Sequence, residues 1–471
     1  MSTSLYFSNT LTGKKDEFKP NKKDQIGIYS CGPTVYWNQH IGHMYAYVHW
    51  DLLVRFLRSL GYKVTWVMNV TDVGHMTSDE DAGEDKMEKG AKREGVDVWE
   101  LADKYIDQFK DSMKLLNITS PDVLPRATDH IEEQINLIKE IEKKGYAYKT
   151  DMGVVFDTSK FPGYAEFAGL ELSKQKTRND VEIDKDKKNP WDFLLWVTGK
   201  TRHIMQWDSP WGRGYPGWHI ECTAMSTKYL GNNFDIHTGG IEHIGVHHTN
   251  EIAQGYAAFG KQTANYWLHN AWLTGKSGEK MSKSLGNYVT AQDLVEKGYD
   301  PLALRYLILN SHYKKGLQFS FAALDAAQQA LQKLKSAVVG LKAVESQRQT
   351  LSSDKLAKTD EFGRDLNMAL ADDLSAPKAL SVVWEMLKSN IPSGDKYDLL
   401  MTFNDVLGLG LEKVETVQKE IPSEIIGMAK KREELRKAGK YEDADIVRKK
   451  IEGKGFLIKD SASGFIIKAK N

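Results

Sequence analysis

The stretch "DQIGIYSCGPTVYWNQHIGHMYAYVHWDLLVRFLRSLGYKVTWVMNVTD", Asp24 to Asp72, decides the fold. Its opening "DQIGIYSCGPTVY" reads as a strand running into a loop, "GHMYAYVHWDLLVRFLRSLG" has helical periodicity stopped by Gly61, and "KVTWVMNVTD" is a second strand. A strand, a crossover helix and a second strand in that order form half of a doubly wound α/β sheet. Parallel signals return much later, with "FDIHTGG" (Phe234–Gly240) as a strand, "HHTNEIAQGYAAFG" (His247–Gly260) as a helix and "YWLHNAWLT" (Tyr266–Thr274) as a strand. The second half of the same sheet therefore resumes after an insertion.

The text between and beyond the halves has other rhythms. An acidic, glycine-punctuated loop follows Asp72, and a polar helix covers Val98 to Leu116. From Pro125 to Pro216 come an amphipathic helix ending at Gly145, short strands, a lysine-rich loop and a tryptophan-rich segment. Past Asn310 the pattern is helical, and "FLIKDSASGFIIKA" near the end reads as a hairpin. The expected organisation is a Rossmann-type domain in two halves (1–124 and 217–310) split by an inserted domain (125–216). A helical bundle (311–415) and a small basic module (416–471) follow.

Composition sets the outer limits. The 471 residues are 41% hydrophobic and 27% charged with a formal net charge of zero, which suits several globular domains and excludes a uniformly basic coat. From Ile421 onward there is nonetheless an excess of about five positive charges. No run is long and apolar enough for a membrane span, and the N-terminus lacks the pattern of a signal peptide, so a cytoplasmic chain is expected. Two cysteines in that compartment do not suggest a disulfide.

Two motifs carry phosphate chemistry. "HIGH" puts His40 and His43 where a strand end turns into a helix, with Gly42 letting a phosphate approach the backbone and free amides at the positive helix end to meet it. Alone this is weak, because a histidine at a helix start is commonly a capping residue. "EKMSKSLGN" (Glu279–Asn287) offers Lys280 and Lys283 as mobile cations in a polar loop after the second half's last strand. HIGH and KMSKS in this order, on opposite halves of one sheet, resemble the class I aminoacyl-tRNA synthetases. That resemblance implies that His40, His43, Lys280 and Lys283 are catalytic. It also implies an ATP site of His40, Gly42, His43, Lys280, Met281, Ser282, Lys283 and Ser284.

The cysteines narrow the family. Cys31 ends the first strand and Cys222 precedes the second half, and neither has a C-x-x-C neighbour. In "VHHTNE", His247 and Glu251 at i and i+4 share a helix face and could bind one metal, so two thiolates, an imidazole and a carboxylate would make a zinc site. His248 competes with His247 for the same position.

"CGPTVY", "NVTD", "PRATDHI", "SPWGRGYPGWHIEC", "FDIHTGG" and "HHTNEIAQ" stand in the order of the cysteinyl-tRNA synthetase family, a resemblance running from about Leu5 to the basic tail. It implies one zinc per chain on Cys31, Cys222, His247 and Glu251, and a cysteine pocket touching Thr71, Trp218 and His237. It further implies ATP with magnesium, L-cysteine and the cysteine tRNA as partners, no membrane, and a monomer. The activity implied is synthesis of cysteinyl-adenylate and transfer of cysteine to the tRNA's terminal ribose. The insertion would cover the acceptor end, and the basic module would bind the anticodon arm.

The sequence departs from the family in delaying the Asp85–Lys86 pair behind the acidic loop, and no role is assigned there. A cysteine ligase of the mycothiol pathway, acting on an amino sugar with ATP and zinc, is the nearest rival, and the C-terminal third argues against it. A zinc hydrolase is more remote, since four protein ligands leave no open position for water.

Overall fold

The computed structural model describes residues 4–74, 85–169, 186–199, 203–275, 278–279, 281, 288–342, 351–414, 422–461 and 464–469. It divides into two compact units, Met1–Glu412 and Lys413–Asn471. The first unit opens on an antiparallel hairpin of β1 (Tyr6–Asn9) and β2 (Lys14–Glu17). Next come β3 (Gln25–Ser30), α1 (Ile41–Ser59) and β4 (Lys63–Met68), the βαβ unit expected from Asp24–Asp72. β3 and β4 run parallel with Ile28 opposite Trp66. Crossover helices cover both faces of such a pair: Ile26, Ile28, Val64 and Trp66 are buried on one face, and Tyr29 and Val67 on the other.

Two capped helices follow, α2 (Lys86–Glu94) behind the N-cap Asp85 and α3 (Val98–Leu115) behind the N-cap Asp97. Between β4 and the return of the parallel strands lie α4 (Ile131–Lys143) and a separate antiparallel sheet. Its strands are β5 (Ala147–Thr150), β6 (Gly153–Phe156), β7 (Phe193–Val197) and β8 (Tyr215–Pro216), paired in that order. Its strands alternate poorly, and β7, Phe-Leu-Leu-Trp-Val, is buried on both faces.

The chain then makes α5 (Trp218–Leu230), β9 (Phe234–Gly240), α6 (His247–Phe259) and β10 (Ala264–Asn270). The parallel sheet has the order β10-β9-β3-β4, so both halves of the sequence share one sheet. β9 docks against β3 with Tyr29 opposite His237 and the Thr238 hydroxyl donating to Ser30 Oγ at 2.7 Å. Strand order reverses between β3 and β9, and the crevice beyond their carboxyl ends is where an open α/β sheet receives ligands.

Short strands β11 (Leu273–Thr274) and β12 (Leu317–Gln318) pair in parallel around α7 (Ala291–Glu296) and α8 (Pro301–Leu309). The unit closes on α9 (Phe321–Lys342), α10 (Ser353–Ala371), α11 (Ala376–Lys388) and α12 (Ser393–Leu407). α10 and α11 are separated at Asp373 and Leu374, both with positive φ (62° and 54°). Asp373 is held there by the Ser8 amide (2.8 Å), the Ser8 hydroxyl (2.6 Å) and the Tyr313 hydroxyl (2.6 Å).

In the second unit, α13 (Ser423–Lys437) and α14 (Tyr441–Gly453) precede the hairpin of β13 (Phe456–Ser461) and β14 (Gly464–Ala469). Ile425, Ala429, Ile451 and Ile458 form its small core, and Arg432 donates both guanidinium arms to Asp460 (2.6 and 3.1 Å). No helix among the described residues is long and apolar enough to cross a membrane.

α1 is the axis of the first unit, buried over most of its surface. His49 lies within it, fully buried, with no hydrogen-bond partner on either ring nitrogen. Burial, with His312 and Arg305 nearby, depresses its pKa to about 3. The folded state keeps His49 neutral while an unfolded chain takes up a proton below about pH 6.5, so stability is lost as pH falls from there toward the folded value. The slope from this one group approaches about 1.4 kcal/mol per pH unit. His49→Phe should therefore lose about 1.6 kcal/mol less than the parent between pH 6.5 and 5. Thermal midpoints measured at both pH values check this, and parallel declines would contradict it.

Candidate active site

At the carboxyl ends of β3 and β9 lies a cavity of about 730 Å³ whose lining includes Cys31, His40, His43, Thr71, Trp218, Cys222 and His247. β3 delivers Cys31, whose amide donates to Thr238 O of β9 (3.1 Å). Gly32 follows because the backbone passes directly over β4's end: a Cβ there would stand 1.6 Å from Asn69 O. The Gly32 amide instead donates to Asn69 Oδ1 at 2.9 Å.

The buried end of the cavity is a cluster of metal donors. Cys31 Sγ, Cys222 Sγ and one donor atom each of His247 and Glu251 all lie within 4.8 Å of one another, and all four residues are buried. The helical spacing does what was expected, with His247 Nε2 3.1 Å from Glu251 Oε1. Glu251 Oε2 accepts from His237 Nε2 at 3.0 Å, and the His237 ring stacks on Trp267 at 4.3 Å. His237 therefore stands behind Glu251 rather than along the cavity lining. Trp218 does line it, its ring 4.5 Å from that of His247. Thr71 lines it too and donates to Glu221 Oε2 at 3.0 Å.

Electrostatics marks this cluster as a seat for positive charge. The hydrogen bond from Cys31 brings the Cys222 thiol down to about 7, while burial pushes Cys31 up. Burial opposes a charged His247, yet the Cys222 thiolate and the Glu251 carboxylate together lift its pKa to about 10. Burial likewise opposes an ionised Glu251, and His237 and His247 hold it down to about 2. Two anionic ligands thus gather around a proton where a cation of zinc's coordination chemistry fits. Zinc bonds of about 2.0–2.3 Å in a tetrahedral site suit this pairing of sulfur, nitrogen and oxygen donors.

Both competing histidines reach the cluster. Cys31, His237, His248 and Glu251 form a second set within the same 4.8 Å limit, and His248 Nε2 is 3.3 Å from Cys31 Sγ. Cys222 completes only the set containing His247. Each histidine is backed by another: His247 Nδ1 meets His219 Nδ1 at 2.9 Å, and His248 Nδ1 meets His269 Nε2 at 2.7 Å. His219 and His269 had no assigned role in the sequence, where each is an isolated imidazole in a helix or strand. His269 is tied in turn to Thr10 Oγ1 at 2.7 Å, a residue of the first hairpin's turn that no spacing rule could link to it.

At the cavity's outer end, HIGH begins α1, but its amides are not available as expected. Ile41 N–H donates to Val289 O (2.8 Å), Gly42 N–H to His40 Nδ1 (3.0 Å), and His43 N–H to His40 O (2.9 Å). The capping reading of His40 is therefore realised, and a phosphate at this place would meet imidazoles rather than backbone. Gly42 has another purpose: a Cβ would lie 2.6 Å from His40 Cε1, so the glycine lets that ring fold back over the helix start. The His40 and His43 rings then sit 3.8 Å apart, with Tyr288 edge-on to His40 at 5.3 Å.

Lys280, Ser282, Lys283 and Ser284 lie outside the described residues. The flanks of their loop are described, and they reach HIGH. Met281 is buried in the cavity lining, Tyr288 hydroxyl donates to Asn38 O, and His40 forms a β-bridge with Thr290.

The family model described as "tRNA synthetases class I (C) catalytic domain" matches residues 17–329. A cysteine-tRNA ligase of Treponema denticola is 44% identical over 98% of each chain. One from Burkholderia lata, cysteine-tRNA ligase 1, is 42% identical over 98% of this chain and 96% of its own, and one from Thermus thermophilus is 38% identical over 98% of both. Among solved structures, Mycobacterium tuberculosis methionyl-tRNA synthetase in complex with methionyl-adenylate aligns with a TM-score of 0.59 at 16% identity. That alignment covers 85% of this chain and 95% of the other, and it is a likeness of fold. With its catalytic domain matched and 98% of its length aligned to these enzymes, the chain belongs to the cysteine-tRNA ligase family of class I tRNA synthetases.

Proposed function

We propose that the chain activates L-cysteine with ATP, forming cysteinyl-adenylate and pyrophosphate, and then transfers the cysteinyl group to the terminal ribose of the cysteine tRNA. The observation that carries this reading is one cavity with a buried cluster of two thiols, imidazole and carboxylate at one end and HIGH, flanked by the KMSKS neighbours, at the other. In the first step a cysteine carboxylate oxygen attacks the α-phosphorus, and the bond to the departing pyrophosphate breaks. His40 and His43, with Lys280 and Lys283, stabilise the charge gathering on that phosphorus. Magnesium enters with the ATP.

Cys31, Cys222, His247 and Glu251 would hold the zinc, which when bound supplies a Lewis acid that prefers thiolate to hydroxyl. His237 fixes the Glu251 carboxylate through Oε2, and Trp218 walls the cysteine pocket against His247. Thr71 offers its hydroxyl oxygen from the lining. The antiparallel insertion would cover the acceptor end, and the second unit, rich in lysine and arginine, would bind the anticodon arm. An amino-sugar substrate gives that unit nothing to do. One chain carries every residue invoked, in keeping with a monomer, and its two free thiols suit the reducing cytoplasm.

ATP–pyrophosphate exchange with each of the twenty amino acids tests the reading. Cysteine alone should support exchange, and serine should fall behind by more than the roughly hundredfold that packing alone provides. Exchange driven by a different amino acid, or by none, would refute it.

A further inference from the structure

We propose that Lys86, the first residue of α2, is a substrate-contacting cation of this cavity that receives the α-carboxylate of cysteine and, after activation, the acyl phosphate made from it. This deepens the activity proposed above and rests on it. The delayed Asp85–Lys86 pair had no role in the sequence, yet the structure brings Lys86 and Lys89, one helical turn apart, into the cavity lining. Lys86 Nζ lies 5.5 Å from the centre of the Trp218 ring, and that ring is 4.5 Å from the His247 imidazole. One indole thus separates the cation from the donor cluster where a cysteine thiol would be held. In free cysteine the carboxylate carbon is roughly 3–4 Å from the sulfur, so an amino acid anchored by its thiol extends its carboxylate far enough to turn to this side of the cavity.

Charge favours the same reading. Among the described lining residues are three cations, Lys86, Lys89 and Arg93, and one carboxylate, Glu242, which accepts from Trp272 Nε1 at 2.7 Å. Arg93 has structural work, with its guanidinium 3.5 Å over the Trp37 ring and a hydrogen bond to Tyr36 O at 3.1 Å. Activation requires a carboxylate to close on a phosphate, two anions whose repulsion in a sheltered site is large. A cation beside the carboxylate offsets that repulsion and stays beside the product's phosphate.

The position of Lys86 is fixed by a clamp. Asp85 caps α2 through the Glu88 amide (2.7 Å) and pairs with His203 Nε2 (3.0 Å), while Glu88 Oε1 accepts from the Ile204 amide (2.8 Å). The His203 ring stacks on Tyr215 at 3.9 Å. Gly74 gives the Asp85 carboxylate its room, since a Cβ there would sit 2.0 Å from Oδ2. Gly90 lets α2 press against Tyr36, where a Cβ would be 3.2 Å from the carbonyl oxygen. Asp85 and His203 hold each other while Glu88 holds the Ile204 backbone, and together they fix the helix start that carries the lysine.

The test compares zinc-loaded wild type, Lys86→Ala and Lys86→Arg in calorimetric titrations with cysteine and with cysteamine, which keeps the thiol and amine but lacks the carboxylate. Lys86→Ala should weaken cysteine by about 10–100-fold, as loss of a hydrogen bond to a charged group does, and leave cysteamine within about twofold. Lys86→Arg should recover most of the loss. In pyrophosphate exchange the KM for cysteine should rise in step, while zinc content, thermal midpoint and the KM for ATP stay as in wild type. Equal weakening of both ligands, no weakening, or a change confined to the KM for ATP would overturn the proposal. A wild type that exchanges with cysteine beside an unaffected Lys86→Ala sinks only this inference, whereas a wild type inert toward cysteine sinks the activity and the inference with it.

Discussion

Cys222→Ala is expected to lower bound zinc well below one per chain and to reduce cysteine-dependent exchange by at least about a thousandfold, beyond the roughly 10–100-fold typical of losing a group that merely supports a metal ligand. Cys222 is buried, and it belongs to the donor set containing His247 but not to the one that pairs His248 with His237. Removing its sulfur takes away the anion that most raises His247, so the seat for positive charge between them collapses. His237→Ala provides the scale. It touches Glu251 Oε2 and no lining residue need move, so its loss should stay within that 10–100-fold range and leave most of the zinc. Metal content by atomic emission and exchange kinetics on the same preparations measure both. A Cys222→Ala protein that keeps its zinc and its preference for cysteine over serine would move the ligand set to His248 and His237.

The contrast between His247 and His248 illustrates what a sequence can convey. The parallel half-sheet from Gln25 to Met68 was legible because strand, helix and strand follow one another within one local pattern. The pair His247 and Glu251 was legible for the same reason, since spacing along a helix fixes which side chains share a face. Illegible were the meetings made by the sheet. Ser30 and Thr238 bond across 208 residues, and Cys31 reaches Glu251 across 220. Family resemblance supplied the meeting of Cys31 with Glu251, but not that of Ser30 with Thr238, and it supplied no reason for His269 behind His248 or for Lys86 over Trp218. Local reading also misjudged HIGH: nothing in four letters reveals that Val289 and the His40 ring consume the first amides of α1. Likewise "ADDLSAP" signals a break only through Ser375 and Pro377, while the left-handed Asp373 is set by Ser8 and Tyr313 from distant segments.

Such distant ties also carry the stability of the catalytic unit, and one of them is a buried ion pair. Arg305 on α8 and Asp51 on α1 are both fully buried, with Nη2 2.5 Å from Oδ2. The remaining donors of Arg305 go to Leu116 O (3.0 Å), Asn117 O (3.1 Å) and Leu407 O (2.8 Å). One guanidinium thus joins the HIGH helix, the end of α3 and the end of α12. Burial opposes the charge on Asp51, yet Arg305 and Arg55 hold its carboxyl below the usual range, so it remains an anion that needs its partner. Arg305→Leu should destabilise the first unit by about 3–5 kcal/mol, the cost of leaving a buried charge unpaired, because Arg55 offers Asp51 only a partly exposed substitute. Arg305→Lys should also lose stability, since a single ammonium cannot span three carbonyls and a carboxylate. Asp51→Leu combined with Arg305→Leu should recover part of the loss by removing the stranded anion, but not all, as the three carbonyls keep no donor. Denaturant midpoints across this series are the measurement. If the double variant is no more stable than Arg305→Leu, the damage comes from the carbonyls and the packing at Gly408, whose Cβ position lies 2.6 Å from Arg305 Nη2, and the ion pair is not what holds the three helices together.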